Sequence, residues 1–134
     1  MRIEDKFWGK EYYKIMMVSL VPDKCNLLKG SEEEKRLAEI LKDDYSISRY
    51  EKMLQLVIKE KVAHEDQDFC FRLFSLDFLK EAFEHGKDKV TGSYLRDIQG
   101  TMQKVFVSIY PRKLTRQMGL EEFMIYVSGG PSGQ

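Results

Sequence analysis

The sequence predicts an all-α fold, a compact domain of five or six helices. Residues 93–110, SYLRDIQGTMQKVFVSIY, set Leu95, Ile98, Met102, Val105 and Ile109 at spacings of three and four, which makes one apolar row along a helix. Two capping boxes, Ser31 with Glu34 and Ser48 with Glu51, announce further helix starts, because the serine caps a backbone amide while the glutamate reaches back to the cap's own amide. The competing expectation is an α+β arrangement with short strands near residues 12–21 and 69–74, where aromatic and apolar residues crowd together.

Taken in order, Ile3, Phe7, Trp8, Tyr12, Ile15, Met16 and Leu20 recur at helical intervals, and Pro22 closes the segment. Residues 22–30 read as a connection rich in turn formers. A short helix follows to about residue 42, with its acidic start matched to the helix dipole. Tyr50, Met53, Leu54, Val57, Ile58 and Val62 then describe a strong amphipathic helix over 48–62. Residues 64–68 form a polar hinge. Beyond it either Ser75 caps a short helix after a strand over 69–74, or Asp68 caps one longer helix, and Gly86 supplies the left-handed position that ends it at His85. Ser93 caps the central helix and Pro111 stops it. Residues 114–127 read as one or two helical pieces bent near Gly119. The expected organisation is a single helical domain over 1–128 and a flexible tail over 129–134, whose SGGPSGQ end lacks apolar residues.

The chain has 134 residues, enough for one sizeable core without a staple or metal. Its 22 basic and 22 acidic side chains cancel, which argues against a protein that coats polyanions through bulk charge. The two cysteines, Cys25 and Cys70, form no CxxC pattern, so a reducing, cytoplasmic location is expected. The longest apolar run is far shorter than the roughly 20 residues that span a bilayer. No membrane span and no secretory signal are therefore expected.

Among motifs, Leu114, Thr115, Met118, Gly119, Leu120 and Ile125 have helix-turn-helix spacing. The second helix would nevertheless present Glu121 and Glu122 where DNA readers carry basic and amide groups, so a bent core helix is the better reading. A second nucleic-acid cue is stronger. No acidic residue occurs from Gln99 through Leu120, while Lys104, Arg112, Lys113 and Arg116 are all positive, and converging on one corner they would hold a phosphate backbone or an acidic protein surface.

Catalytic patterns are thin. His64, Glu65 and Asp66 are consecutive and point apart, and Glu81 with His85, although correctly spaced on a helix, lacks a third group. No cofactor or metal is expected. Cys70, between two phenylalanines, reads as a core thiol. The N-terminal helix, by contrast, would be apolar on more than one side, more than one small domain buries, so Phe7, Trp8, Tyr12 and Tyr13 are expected to meet a protein partner or a second copy. The expected function is thus a non-catalytic intracellular interaction or regulatory module, with self-association as one form of it. Nucleic-acid binding through the basic 104–116 region is the alternative, and a small enzyme ranks third.

Overall fold

The computed structural model describes residues 12–30, 32, 35, 36 and 49–129. Its architecture corrects the all-helical expectation: among the described residues a five-stranded antiparallel sheet carries three short helices, within residues 49–84, on one face, a two-layer α+β arrangement. Strands β1 (Tyr12–Leu20) and β2 (Asp23–Lys29) come first. Helices α1 (Arg49–Lys61), α2 (Gln67–Leu73) and α3 (Leu76–Glu84) follow, then β3 (Val90–Ile98), β4 (Thr101–Thr115) and β5 (Gly119–Gly129). The strand order is β2-β1-β5-β4-β3, so the last described strand sits at the centre.

The supposed central helix is a hairpin. β3 and β4 pair from Val90 with Ile109 to Ile98 with Thr101, joined by Gln99 and Gly100, both with positive φ (53° and 87°). Two consecutive left-handed residues make the tight turn whose twist suits antiparallel strands. Period two also explains the apolar content better than period 3.6 does. Val105, Val107 and Ile109 alternate inward and are fully buried, while Leu95 and Met102 of the supposed row face solvent. β-branched and aromatic residues dominate 105–110, and such side chains fit a pleated surface. Pro111 lies within β4, at an irregularity in its pairing with β5 and beyond the last β3 partner, where its missing amide costs no ladder bond to β3.

The N-terminal expectation fails in the same way. From Tyr12 onward the chain is β1, as the α+β alternative had it, flanked by β2 and β5. β1 carries apolar side chains at both parities, Met16 and Val18 buried in the core and Ile15 and Met17 half-buried, which no single helical stripe would absorb. Residues 23–29 are a strand and not a connection, and residues 69–74 lie on α2 and its C-cap, not on a strand. The segment 114–127 is neither a bent helix nor a helix-turn-helix, but the end of β4, a turn and most of β5. β5 continues through Gly129, the first residue of the expected tail. The rest of that tail, the Ser31–Glu34 cap and Ser48 lie outside the described residues.

The helical layer follows the sequence closely. α1 buries Tyr50, Met53 and Ile58, and its first amide, of Arg49, donates to both oxygens of Asp23 at 3.0 Å. Ser75 caps α3 by accepting from the Phe78 amide, and Gly86 follows the helix with φ 98°. Tyr50 binds the two layers together: its ring meets Phe123 of β5 edge-on at 5.2 Å, and its hydroxyl donates to the Phe74 carbonyl at 2.6 Å. The core is the space between α1–α3 and the inward residues of β1, β3, β4 and β5.

The segment after α1 also closes one sheet edge. Val62 bridges to Arg96, the Ala63 amide donates to the Leu95 carbonyl at 2.9 Å, and the Leu95 amide donates to Asp66 at 2.8 Å. The polar groups of β3 that would invite another strand are satisfied there within the chain. No helix among the described residues is long and apolar enough to cross a membrane.

Candidate functional site

The face of the sheet turned away from α1–α3 holds the most chemistry. On β4 the alternation that buries Val105, Val107 and Ile109 turns Lys104, Phe106, Ser108 and Tyr110 outward. The pairing with β5 puts Ser128 opposite Phe106, Tyr126 opposite Ser108 and Met124 opposite Tyr110. Tyr126 is the hub of an aromatic row, with the Tyr110 ring 5.8 Å away at 78° and the Tyr12 ring 5.3 Å away at 51°. Burial, followed by the neighbouring phenols, pushes Tyr12 up to about 12 and raises Tyr126, which the Arg112 guanidinium partly offsets. These phenols are neutral hydrogen-bonding rings at neutral pH and not proton-transfer groups.

The basic residues named from the sequence share this strand and its turn but do not converge on one corner, since eight residues, about 27 Å, separate Lys104 from Arg112. Arg112 meets Glu122 at 3.2 Å and Lys113 meets Glu121 at 3.6 Å. Glu121 also accepts from the Thr115 hydroxyl at 2.6 Å, and that hydroxyl accepts from the Met118 amide, which fixes the β4–β5 turn. Lys104 and Arg116 are exposed and form no ion pair among the described residues. Lys104 stands two residues from Phe106, about 7 Å along the strand. Three of the four cations are therefore spread along one strand beside its rings, and Arg116 sits at its tip.

The other expected site residues separate. Phe7 and Trp8 lie outside the described residues. Tyr12 is 8% exposed in the aromatic row, whereas Tyr13 lies under the Arg96 guanidinium, 5.1 Å from its ring centre. Arg96 belongs to β3 and Tyr13 to β1, so the sheet curls enough to bring together strands that β5 and β4 separate. Beneath this contact, Lys14, Tyr94 and Arg96 border a cavity of about 40 Å³ between α1 and the sheet. That volume suits a water or two, against the roughly 300 Å³ or more of ordinary ligand sites.

No family model matches the chain, and neither curated proteins nor solved structures show a significant match. Functional inference thus rests on the chain's own geometry. Among the described residues, no three His, Cys, Asp or Glu side chains gather as a metal set. His85 remains on the exposed end of α3, its Nδ1 2.7 Å from the Glu81 carbonyl. Both cysteines are free thiols, pushed up to about 12 chiefly by burial, which makes them poor nucleophiles near neutrality.

The sequence singled out the cations and overlooked Phe106, Tyr110 and Tyr126. The signal was present as the alternation Lys104, Phe106, Ser108, Tyr110, which is visible only once the segment is treated as extended.

Proposed function

We propose that this chain is a nucleic-acid-binding protein whose contact surface is the outward face of β4 and the turn that follows it. The observation that carries the reading is the placement of Lys104, Arg112, Lys113 and Arg116 on one strand and its tip, alongside the outward rings of Phe106, Tyr110 and Tyr126. Cations hold phosphates and rings accept bases, and a single strand interleaving both answers the objection that balanced charge raises. The pair of Glu122 with the exposed Arg112 is not prohibitive, because such surface pairs contribute only about 0–1 kcal/mol and are exchanged for phosphate contacts, whereas Glu121 is buried and held by the Thr115 hydroxyl, so Lys113 stays paired and Lys104, Arg112 and Arg116 are the cations offered to phosphate.

Fluorescence anisotropy with a labelled oligonucleotide tests this reading. Binding should weaken steeply as salt rises, and Lys104→Glu with Arg116→Glu, which disturbs no ion pair among the described residues, should weaken it further. Absence of binding even at low salt would refute the proposal. A second reading, docking of an acidic protein, draws on the exposed Leu114 and Met118 beside Arg116 at the hairpin tip. It predicts that Leu114→Ser and Met118→Ser abolish capture of an acidic partner while oligonucleotide binding is absent.

A further inference from the structure

Phe106 is the anomaly of the sheet. It lies in the middle of β4, a strand paired on both sides, yet it is 50% exposed while its neighbours Val105 and Val107 are buried. Directly opposite it stand two small hydroxyl residues, Ser93 on β3 and Ser128 on β5. Along its own strand the next outward side chains are Lys104 and Ser108. Low neighbours on either side leave an aromatic knob standing clear of a floor of hydroxyls.

From this arrangement we infer that Phe106 is a stacking platform for an unpaired base, so that the ligand class is single-stranded nucleic acid and not duplex. The inference rests on the proposed nucleic-acid reading and specifies the contact. An unpaired base can lay its π-face on the phenyl ring, while Ser93, Ser108 and Ser128, each both donor and acceptor, meet whichever base edge is presented. Lys104, about 7 Å along the strand, is placed for the adjoining phosphate. Inside a duplex the base faces are already stacked, and offering one to Phe106 means unstacking and kinking the helix at a cost of about a few kcal/mol per step, which an unpaired base does not impose. Hydroxyls that serve as either donor or acceptor do not distinguish one base from another, so base preference should be weak.

The test compares labelled oligothymidylate of roughly 12 nucleotides with its duplex on oligoadenylate, by anisotropy at low salt. The single strand should bind at least about tenfold more tightly. Phe106→Ala should lose roughly tenfold for the single strand while leaving the salt slope unchanged, and Phe106→Trp should restore binding. Lys104→Gln should instead reduce the slope by about one. Circular dichroism of each variant checks the fold, which an exposed ring should not perturb. If duplex binds equally well and Phe106→Ala is silent while Lys104→Gln weakens binding, phosphate contacts act alone: this inference falls and the broader proposal stands. Loss of all binding in the unaltered protein removes both. Displacement of the oligonucleotide by polyglutamate at equal charge concentration would also overturn the base-stacking claim.

Discussion

Replacing Gly119 with alanine tests how the helical layer is fastened to the β4–β5 turn. Gly119 has φ 70°, and the Leu120 amide beside it donates to Glu84 Oε2, at the end of α3, at 2.9 Å. A methyl group at residue 119 would overlap the Glu84 carboxylate, coming within 2.7 Å of its carboxyl carbon. Two costs result. Left-handed backbone costs an alanine about 1–2 kcal/mol. Displacing the carboxylate forfeits a hydrogen bond to a charged group, about 1.5–3 kcal/mol. Gly119→Ala should therefore destabilise by about 3 kcal/mol, read as a shift in urea midpoint at constant slope. Glu84→Ala alone should cost about 2 kcal/mol. In that background the methyl has nothing to displace, so Gly119→Ala should cost only about 1 kcal/mol more. Strict additivity of the two changes, or a Gly119→Ala cost below about 0.5 kcal/mol, would refute the proposed fastening.

Two further outcomes are expected. Tyr50→Phe leaves the Phe74 carbonyl without its 2.6 Å donor and should cost about 1–2 kcal/mol in the same urea assay, with no change in the far-ultraviolet spectrum. Stability should also fall in alkali: Cys25 and Cys70 are held at about 12 against an ordinary 9.0, Tyr12 at about 12 against 10.0, and Tyr50 well above 10.0. The unfolded chain releases these protons first, so the folded state is favoured less as pH climbs from about 9 towards 12. A urea midpoint that is flat from pH 8 to pH 11 would contradict that burial.

The sequence disclosed the helical layer more readily than the sheet. α1 was legible because Tyr50, Met53, Leu54, Val57 and Ile58 form a stripe at helical intervals, and α3 because Ser75 and Gly86 mark its two ends. The strands misled for a definite reason. Leu95, Ile98, Met102, Val105 and Ile109 fit a helical row, but that count includes residues from both arms of a hairpin and passes over Gly100 at its turn. Only Val105 and Ile109 of those five are buried. β1 was obscured differently. Ile15 and Met17 alternate with Met16 and Val18, so apolar side chains stand at both parities of β1, which erases the period-two signal. The same error hid half of the candidate site. Charge is readable without knowing the backbone, so Lys104, Arg112, Lys113 and Arg116 could be named, but Phe106, Tyr110 and Tyr126 align only through strand alternation and cross-strand register.

Register also explains why the basic strand and the aromatic row coincide. β5 lies in the centre of the sheet, where its Tyr126 touches Tyr12 of β1 on one side and Tyr110 of β4 on the other. Helices α1–α3 fill the opposite face, so ligand contact on the aromatic face does not compete with the core.

Amide chemical shifts of the isotope-labelled protein, followed during titration with single-stranded oligothymidylate, measure the location of contact directly. The account predicts changes concentrated at Ser93, Leu95, Lys104, Phe106, Ser108, Arg112, Tyr126 and Ser128, with the exposed side of α3 unmoved. Changes centred on the helices, or none at saturating oligonucleotide, would contradict it.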